Sequence, residues 1–188
     1  LSNVGTLTGA FGLTLGGTQG GSVTSIIGTT TGALVKEGAG TWTLSGANTY
    51  SGGTIISAGT LQAGSATSFG TGAIGVTSGA ALDLNGQTMT STGVLTLNGT
   101  GIGTGGALKN SAAAATYAGL VALGSDSSVV GGTGIIALTN VDTITGASYN
   151  LTLGGAQGGS VTSIIGTTTG ALILSLIHIS EPTRQAEI

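Results

Sequence analysis

The chain of 188 residues has no cysteine, one proline and only nine charged side chains, three of them basic and six acidic. Without cysteine it can form neither a disulfide scaffold nor a Cys-ligated metal site. Collagen is excluded because proline is nearly absent and glycine does not recur at every third position. Three basic residues cannot follow a phosphate backbone, so nucleic acid and anionic membrane surfaces are poor candidate partners.

Long apolar runs are also missing. Mean hydropathy is +0.50, yet Gly, Thr and Ser interrupt every apolar stretch well short of the roughly 18 residues that a spanning helix needs. Six aromatic side chains are too few for the girdles of a transmembrane barrel. We therefore expect no membrane-spanning segment. The start, Leu1-Ser2-Asn3, shows no signal peptide, which favours an internal fragment of a longer protein.

Glycine is abundant, with 39 residues against a usual share of roughly 7%. Because Gly lowers helix stability by about 1 kcal/mol relative to Ala, no window favours a helix. The sequence instead alternates apolar residues with Thr, Ser or Asp in short runs between Gly-rich turns, a pattern typical of strands with one buried face. Only Ser111 to Leu123 resembles a helix, and we predict strand and turn there. The predicted strands include Thr41–Leu44, Thr54–Ser57, Thr60–Ala63, Ala81–Leu84, Val94–Leu97, Ile135–Leu138 and Leu151–Leu153.

A long internal repeat is the most informative feature of the sequence. Residues 13–34 recur at 151–172 with one difference, Thr18 against Ala156, so the repeat offset is 138 residues. One mismatch in 22 positions is far beyond what biased composition produces, and it indicates duplication of a long unit. We predict one β domain over residues 1–173.

The remaining segment, 174–188, differs in composition. It holds the only His, Pro and Arg of the chain. Its string LSLIHISEPTR resembles the translation of a transposase-type sequencing adapter, with QAEI continuing through an index. We therefore predict a non-native or disordered tail and exclude His178 and Arg184 from any site.

Two all-β architectures accommodate many short strands. A sandwich or closed barrel of this length usually has large aromatic residues in its core. Small aliphatic side chains suit a narrow parallel β-helix, in which each coil stacks on the next at about 4.8 Å. At roughly 18 to 24 residues a coil, the body predicts about eight coils and a rod of about 40 Å.

One segment carries a family resemblance. Leu34 to Gly64 combines Lys36 and Gly38 with GTWTL, SGANTYSGGT and GTLQ, and it resembles the autotransporter-associated β-strand repeat of bacterial autotransporter passenger domains. The resemblance implies a right-handed parallel β-helix, export through the outer membrane, display on the cell surface and a role in adhesion. It further implies a C-terminal translocator barrel in the full-length parent, and host or neighbouring-cell surface molecules or glycans as partners.

Within that segment, the coil geometry predicts a role for each motif residue. Leu44 should point inward, Asn48 and Tyr50 should organise a corner, and Gly52-Gly53 should turn the chain into the next strand. Asn48 is a candidate for a hydrogen-bonded ladder with a neighbouring coil. Trp42 should cover a turn or cap one side of the solenoid rather than bind a ligand.

No catalytic, cofactor-binding or metal-binding residue is predicted, and the chain is predicted not to be an enzyme. Of the acids in the body, we interpret Asp83, Asp126 and Asp142 as solvent-facing and too scattered for a catalytic pair. The GxGxxG matches at Gly70 and Gly101 are expected by chance at this glycine content.

The predicted role is structural: a stiff, surface-displayed stalk with adhesive contacts spread along the rod. One alternative is an ice-binding solenoid, since Thr29–Thr31 and several T-x-T strands are present, although their spacing is uneven. A less favoured alternative is a polysaccharide-binding or polysaccharide-processing β-helix, which requires clustered acids. A third is that the fragment alone has no stable fold.

Overall fold

The computed structural model describes residues 5–90 and 93–175. Their regular structure is β apart from one short 3₁₀ turn, Ile102–Thr104. The first eleven strands are β1 (Thr6–Thr8), β2 (Leu13–Leu15), β3 (Gly20–Val23), β4 (Ile26–Gly28), β5 (Leu34–Lys36), β6 (Thr41–Leu44), β7 (Thr54–Ile56), β8 (Gly59–Ala63), β9 (Ile74–Val76), β10 (Ala80–Asp83) and β11 (Thr88–Met89). The others are β12 (Leu95–Gly99), β13 (Leu108–Asn110), β14 (Ala115–Tyr117), β15 (Val121–Gly131), β16 (Ile136–Leu138), β17 (Thr143–Thr145), β18 (Leu151–Gly155), β19 (Gly159–Val161), β20 (Ile164–Gly166) and β21 (Leu172–Ser175).

The strands stack in parallel on three faces, and the chain visits the faces in rotation. Face A contains β2, β5, β7, β9, β12, the first part of β15, β17 and β20. Face B contains β3, β6, β8, β10, β13, the second part of β15, β18 and β21. Face C contains β1 with β4, and β11, β14, β16 and β19. This is a parallel β-solenoid, as the sequence predicted.

Face A carries eight strands, which gives about eight coils and confirms the predicted number. Register partners Leu13, Leu34, Thr54, Ile74 and Leu95 follow one another at intervals of 20 or 21 residues. The next coil, from Leu95 to its register partner on β15, takes 26 residues. It exceeds the predicted range because the 3₁₀ turn and its flanking glycines form an outward loop at the corner. The helix-like segment 111–123 forms β14 and the start of β15, as predicted.

The core is a set of inward columns that run from coil to coil. Alternate residues of each short strand point inward, so one side chain per coil sits above its counterpart in the coil below. On face A, Leu34 lies in the column that continues through Ile74 and Leu95, all of them at most 1% exposed. Stacked coils bring these columns within contact distance, and Leu, Ile, Val and Ala fill most of the interior. Three aromatic side chains, Tyr50, Phe69 and Tyr117, are also fully buried in this core, which the sequence did not predict.

The two copies of the repeated segment occupy different faces. Strands β2, β3 and β4 of the first copy lie on faces A, B and C, whereas β18, β19 and β20 of the second lie on faces B, C and A. The same segment therefore starts on face A in the first copy and on face B in the second. Each face takes about a third of the 21-residue coil, so the segment can begin on either face and still stack on its neighbours.

The predicted domain boundary at residue 173 falls inside a strand. Leu174 and Ser175 continue β21 and pair with β18. The rest of the predicted tail, 176–188, lies outside the described residues, so its non-native character stays a prediction. No helical segment in 5–90 or 93–175 has the length and apolar character required to cross a membrane.

Candidate functional site

The segment Leu34–Gly64 places a lysine in the core. Lys36 follows Leu15 and precedes Ile56 in an inward column of face A, and it is fully buried. Its Nζ donates to the carbonyl oxygens of Glu37 at 2.9 Å, Gly38 at 2.7 Å and Ala58 at 2.8 Å. Burial lowers the pKa of the Lys36 amine below its ordinary 10.5, and the neighbouring Glu37 carboxylate opposes this shift. The amine thus joins two successive coils at a corner.

Asn48 joins three coils on face C. Its Oδ1 accepts a hydrogen bond from Ile27 N at 2.8 Å, and its Nδ2 donates to Ser68 O at 2.6 Å. The side chain is 3% exposed. The sequence predicted a ladder between neighbouring coils, and the structure has the amide bridging the backbones of the coils on either side. No regular strand is present at this position of the coil, and the amide adds to the backbone bond that Thr49 N donates to Ile27 O at 3.0 Å.

Tyr50 and Thr54 form a second buried polar pair in the same coil. The Tyr50 hydroxyl and Thr54 Oγ1 share a hydrogen bond of 2.7 Å, and both side chains are at most 1% exposed. Burial raises the pKa of the Tyr50 hydroxyl above its ordinary range, and the bond to Thr54 opposes this shift. As predicted, Asn48 and Tyr50 both organise the corner before β7.

Trp42 covers the coil beneath it. Its Nε1 donates to Gly16 O at 2.8 Å. A Cβ added to Gly21, its register partner on β3, would lie 3.0 Å from Trp42 Cη2. The indole therefore packs flat against a strand that has no side chain at that point, in agreement with the predicted covering role.

Comparison with known proteins agrees with this local geometry. The model of a family described as the passenger-associated-transport-repeat matches residues 34–63. Residues 34–63 are similar to a passenger-associated-transport-repeat. This confirms the autotransporter passenger repeat predicted from Leu34 to Gly64.

A curated relative supports the same assignment. Over 43 residues the chain is 56% identical to the Adhesin BmaC autotransporter of Brucella suis biovar 1 (strain 1330). The match covers 23% of this chain and 1% of that protein, so the chain spans only a very small part of its relative. No solved structure matches the chain.

A polar column runs along the outside of the passenger repeat and the two coils after it. Thr43 Oγ1 donates to Gln62 Oε1 at 2.9 Å, and Gln62 Nε2 donates to Asp83 Oδ2 at 3.2 Å. Lys109 Nζ lies 3.7 Å from the same Asp83 oxygen. These four residues are register partners on successive strands of face B, so each coil contributes one member.

The prediction that Asp83 faces solvent is wrong. Its side chain is 1% exposed, because the turns after β10 and β13 fold over it. Its Oδ1 accepts hydrogen bonds from Asn85 N and Ser111 N, both at 3.0 Å. Asp83 is therefore a structural acceptor that holds two turns, and sequence alternation alone could not reveal which turns cover it.

Asp126 and Asp142 are exposed, as predicted. Asp126 accepts hydrogen bonds from Asn150 N at 2.8 Å and from Asn150 Nδ2 at 2.9 Å. The backbone N of Asp142 donates a hydrogen bond of 2.7 Å to Oδ1 of Asn140, two residues earlier. Within residues 5–90 and 93–175, no three His, Cys, Asp or Glu side chains are grouped in a way that could hold a metal ion.

The outward threonines do not form a continuous array on face A. The outward column there runs through Thr14, Val35, Ile55, Gly75 and Thr96 in consecutive coils. Its Thr positions are interrupted by two β-branched aliphatic residues and one glycine. A flat two-column Thr grid, which the ice-binding alternative requires, is not formed by this face.

One surface concavity lies beside the passenger repeat, and another lies at the last coils. One, of about 450 Å³, is a shallow outer groove where Gly75 leaves a gap beside Ile55. The other, of about 260 Å³, is apolar and lies at the last coils, between Leu138, Leu153 and Leu174. Neither contains an ionisable side chain.

Proposed function

We propose that the chain is a structural and adhesive segment of a secreted, surface-displayed autotransporter-type protein. It acts as a stiff stalk, and its contacts with host or neighbouring-cell molecules or glycans are distributed along the rod. The chain itself is not an enzyme. The parent protein carries a C-terminal translocator barrel.

The observation that carries this proposal is how the buried polar groups of the passenger repeat are used. Lys36, Asn48 and the Tyr50–Thr54 pair all bond within or between coils. They stiffen the stack and are not directed into a cleft. Such buried networks favour one rigid arrangement when every member is satisfied. The matched relative is by its name an adhesin.

Adhesion of protein-coated beads tests the proposal. Beads that carry the chain should adhere to a panel of cell-surface glycans and cultured cells more strongly than beads that carry a non-adhesive protein at equal density. Because the contacts are distributed, single surface substitutions such as Thr96→Ala should each reduce adhesion by less than about twofold, by analogy with the near-neutral majority of interface residues. Adhesion equal to the control would refute the adhesive role. Loss of adhesion through one substitution would refute distributed contacts.

The polysaccharide-processing alternative makes a different prediction. It needs two carboxylates near one sugar ring, whereas Asp83 is buried and Asp126 is bonded to Asn150. If that alternative were correct, the chain would release reducing ends from a bacterial or host polysaccharide, and Asp142→Asn would stop the release.

A further inference from the structure

Two corners of the solenoid are built on the two Asn-Gly dipeptides of the sequence, Asn85-Gly86 and Asn98-Gly99. The backbones of Gly86 and Gly99 have φ of 74° and 76°, a left-handed conformation that glycine adopts without steric cost. Asn85 is left-handed as well, with φ of 47°, as in the tight turns that favour Asn-Gly. Both corners therefore require a glycine after the asparagine.

This dipeptide is chemically reactive in a flexible chain. The glycine backbone nitrogen loses its proton to base and attacks Cγ of the asparagine. The new C–N bond closes a succinimide ring, the Cγ–Nδ2 bond breaks, and ammonia leaves. Water then opens the ring and produces aspartate or isoaspartate. Glycine favours this deamidation because it has no side chain to hinder the approach of its nitrogen, so both corners contain a reactive pair.

Each of the two glycine nitrogens is held by a side chain of the following coil. Gly86 N donates to Asn110 Oδ1, and Gly99 N donates to Ser125 Oγ, both at 2.9 Å. The Asn110 side chain is 1% exposed. A nitrogen that donates to a fixed acceptor must break that bond before it can turn toward Cγ. The coil above each corner therefore restrains the attacking atom.

Each of the two asparagine side chains is held by the preceding coil. Asn85 Nδ2 donates to Ala63 O, and Asn98 Nδ2 donates to Val76 O, both at 2.9 Å. These bonds fix the amide that would leave and, with it, the position of Cγ. The first corner follows β10 on face B, and the second ends β12 on face A. Two separate corners thus have the same pair of bonds, one to the coil before and one to the coil after.

We propose that Asn85 and Asn98 are latent deamidation sites, which the stack keeps unreactive and which react when neighbouring coils separate. The reaction makes the opening permanent. A carboxylate accepts hydrogen bonds but donates none, so a deamidated Asn98 cannot donate to Val76 O. Isoaspartate in addition lengthens the path of the backbone and disturbs the register of the strand. A corner that has reacted therefore no longer joins its two neighbouring coils.

Deamidation rates at the two corners test the proposal. They are measured by peptide mass spectrometry after incubation of the full chain at mildly alkaline pH. Both asparagines should react much more slowly in the folded chain than in the chain unfolded in urea. Ser125→Ala removes the acceptor of Gly99 N and leaves that of Gly86 N. Asn98 should then react about fivefold faster, the factor that corresponds to loss of one typical hydrogen bond, while Asn85 keeps its native rate.

Ser51→Ala is the matched control. Ser51 Oγ also joins successive coils, because it donates to Thr30 O at 2.8 Å, but its corner has no Asn-Gly pair. This variant should keep the native rates at Asn85 and Asn98. An unchanged Asn98 rate in Ser125→Ala would overturn the proposal. An equal rise at Asn85, or an equal rise at Asn98 in Ser51→Ala, would also overturn it by indicating a general loss of stability.

The native chain supplies two tests that need no variant. In the folded state the amide protons of Gly86 and Gly99 should exchange with solvent far more slowly than in urea, and exchange as fast as in urea would contradict the restraint. Chains deamidated during long incubation carry an extra negative charge and can be separated by anion exchange. They should have a lower unfolding free energy than unreacted chains, and equal stability would contradict the permanent opening of the corner.

Discussion

At the scale of single residues, the passenger repeat is distinguished by polar side chains at inward positions. The sequence identified the corner roles of Asn48 and Tyr50, because their motif pointed to a turn between strands. It did not identify Lys36 as a core residue. Its aliphatic stem follows the inward column while its amine reaches carbonyl oxygens at the corner, and alternation of residue types predicts neither the reach of a long side chain nor its partners.

Replacement of Asn48 should be one of the most damaging single substitutions in the chain. Asn48→Ala leaves Ile27 N–H and Ser68 C=O without the partners that the structure gives them. Each buried group left unsatisfied costs about 1–3 kcal/mol, so with two such groups the free energy of unfolding should fall by about 2–6 kcal/mol. Urea denaturation followed by circular dichroism measures this change. The matched control is Thr49→Ala, an exposed neighbour in the same coil, and equal effects of the two substitutions would contradict the bridging role.

Lys36 should give the stability of the chain a specific pH dependence. Its pKa is lowered in the folded state, so between that lowered value and 10.5 the unfolded chain binds more protons than the folded chain. The contribution of Lys36 to stability therefore rises with pH across this interval and is constant below it. The unfolding free energy of the native protein minus that of Lys36→Met should become more positive as pH rises toward 10.5. A value that becomes more negative over that range would contradict a desolvated amine.

At the scale of strands and coils, the sequence predicted much of what the structure contains. The predicted strands agree with the observed ones to within one or two residues, because each is a short alternating run between Gly-rich turns. The 26-residue coil after Leu95 was not predicted, since its extra residues resemble the other turns in composition. The burial of Asp83 was missed for a related reason: turns from two different coils cover it, and a single sequence does not show which turns become neighbours.

Contact between Trp42 and the coil below can be tested with a pair of glycines. In Gly21→Ala the new Cβ would lie 3.0 Å from Trp42 Cη2, and the indole is held by its bond to Gly16 O. The unfolding free energy should fall by about 1 kcal/mol, as is typical of overpacking. Emission from Trp42, the only tryptophan, should change because the indole is displaced.

Gly75 is the matched control for that substitution. It lies in β9, and a Cβ added there meets no atom within 4 Å. Gly75→Ala should be neutral or stabilising by about 0.4–1 kcal/mol, because it restricts the unfolded chain without strain in the folded one. If both variants lost the same stability and shifted Trp42 emission equally, the packing of Trp42 on β3 would be contradicted.

At the scale of the whole molecule, stability depends on contacts between successive coils. Each coil is held by the one before and the one after it. The buried polar groups Lys36 and Asn48 of the passenger repeat add side-chain hydrogen bonds between coils to these backbone contacts. The long repeat could be recognised in the sequence, but the faces on which its two copies lie could not. Those faces depend on the length of every coil between the copies.

Distances along one column test the solenoid most directly. Thr14, Thr96 and Thr145 all belong to the outward column of face A, with Thr96 four coils and Thr145 six coils from Thr14. Spin labels on the cysteine pairs Thr14→Cys/Thr96→Cys and Thr14→Cys/Thr145→Cys can be measured by double electron–electron resonance. At about 4.8 Å per coil, the backbone separations should be about 19 Å and 29 Å, so the second distribution should be centred about 10 Å beyond the first and both should be narrow. Equal distances, a reversed order or broad distributions would contradict a stack of parallel coils.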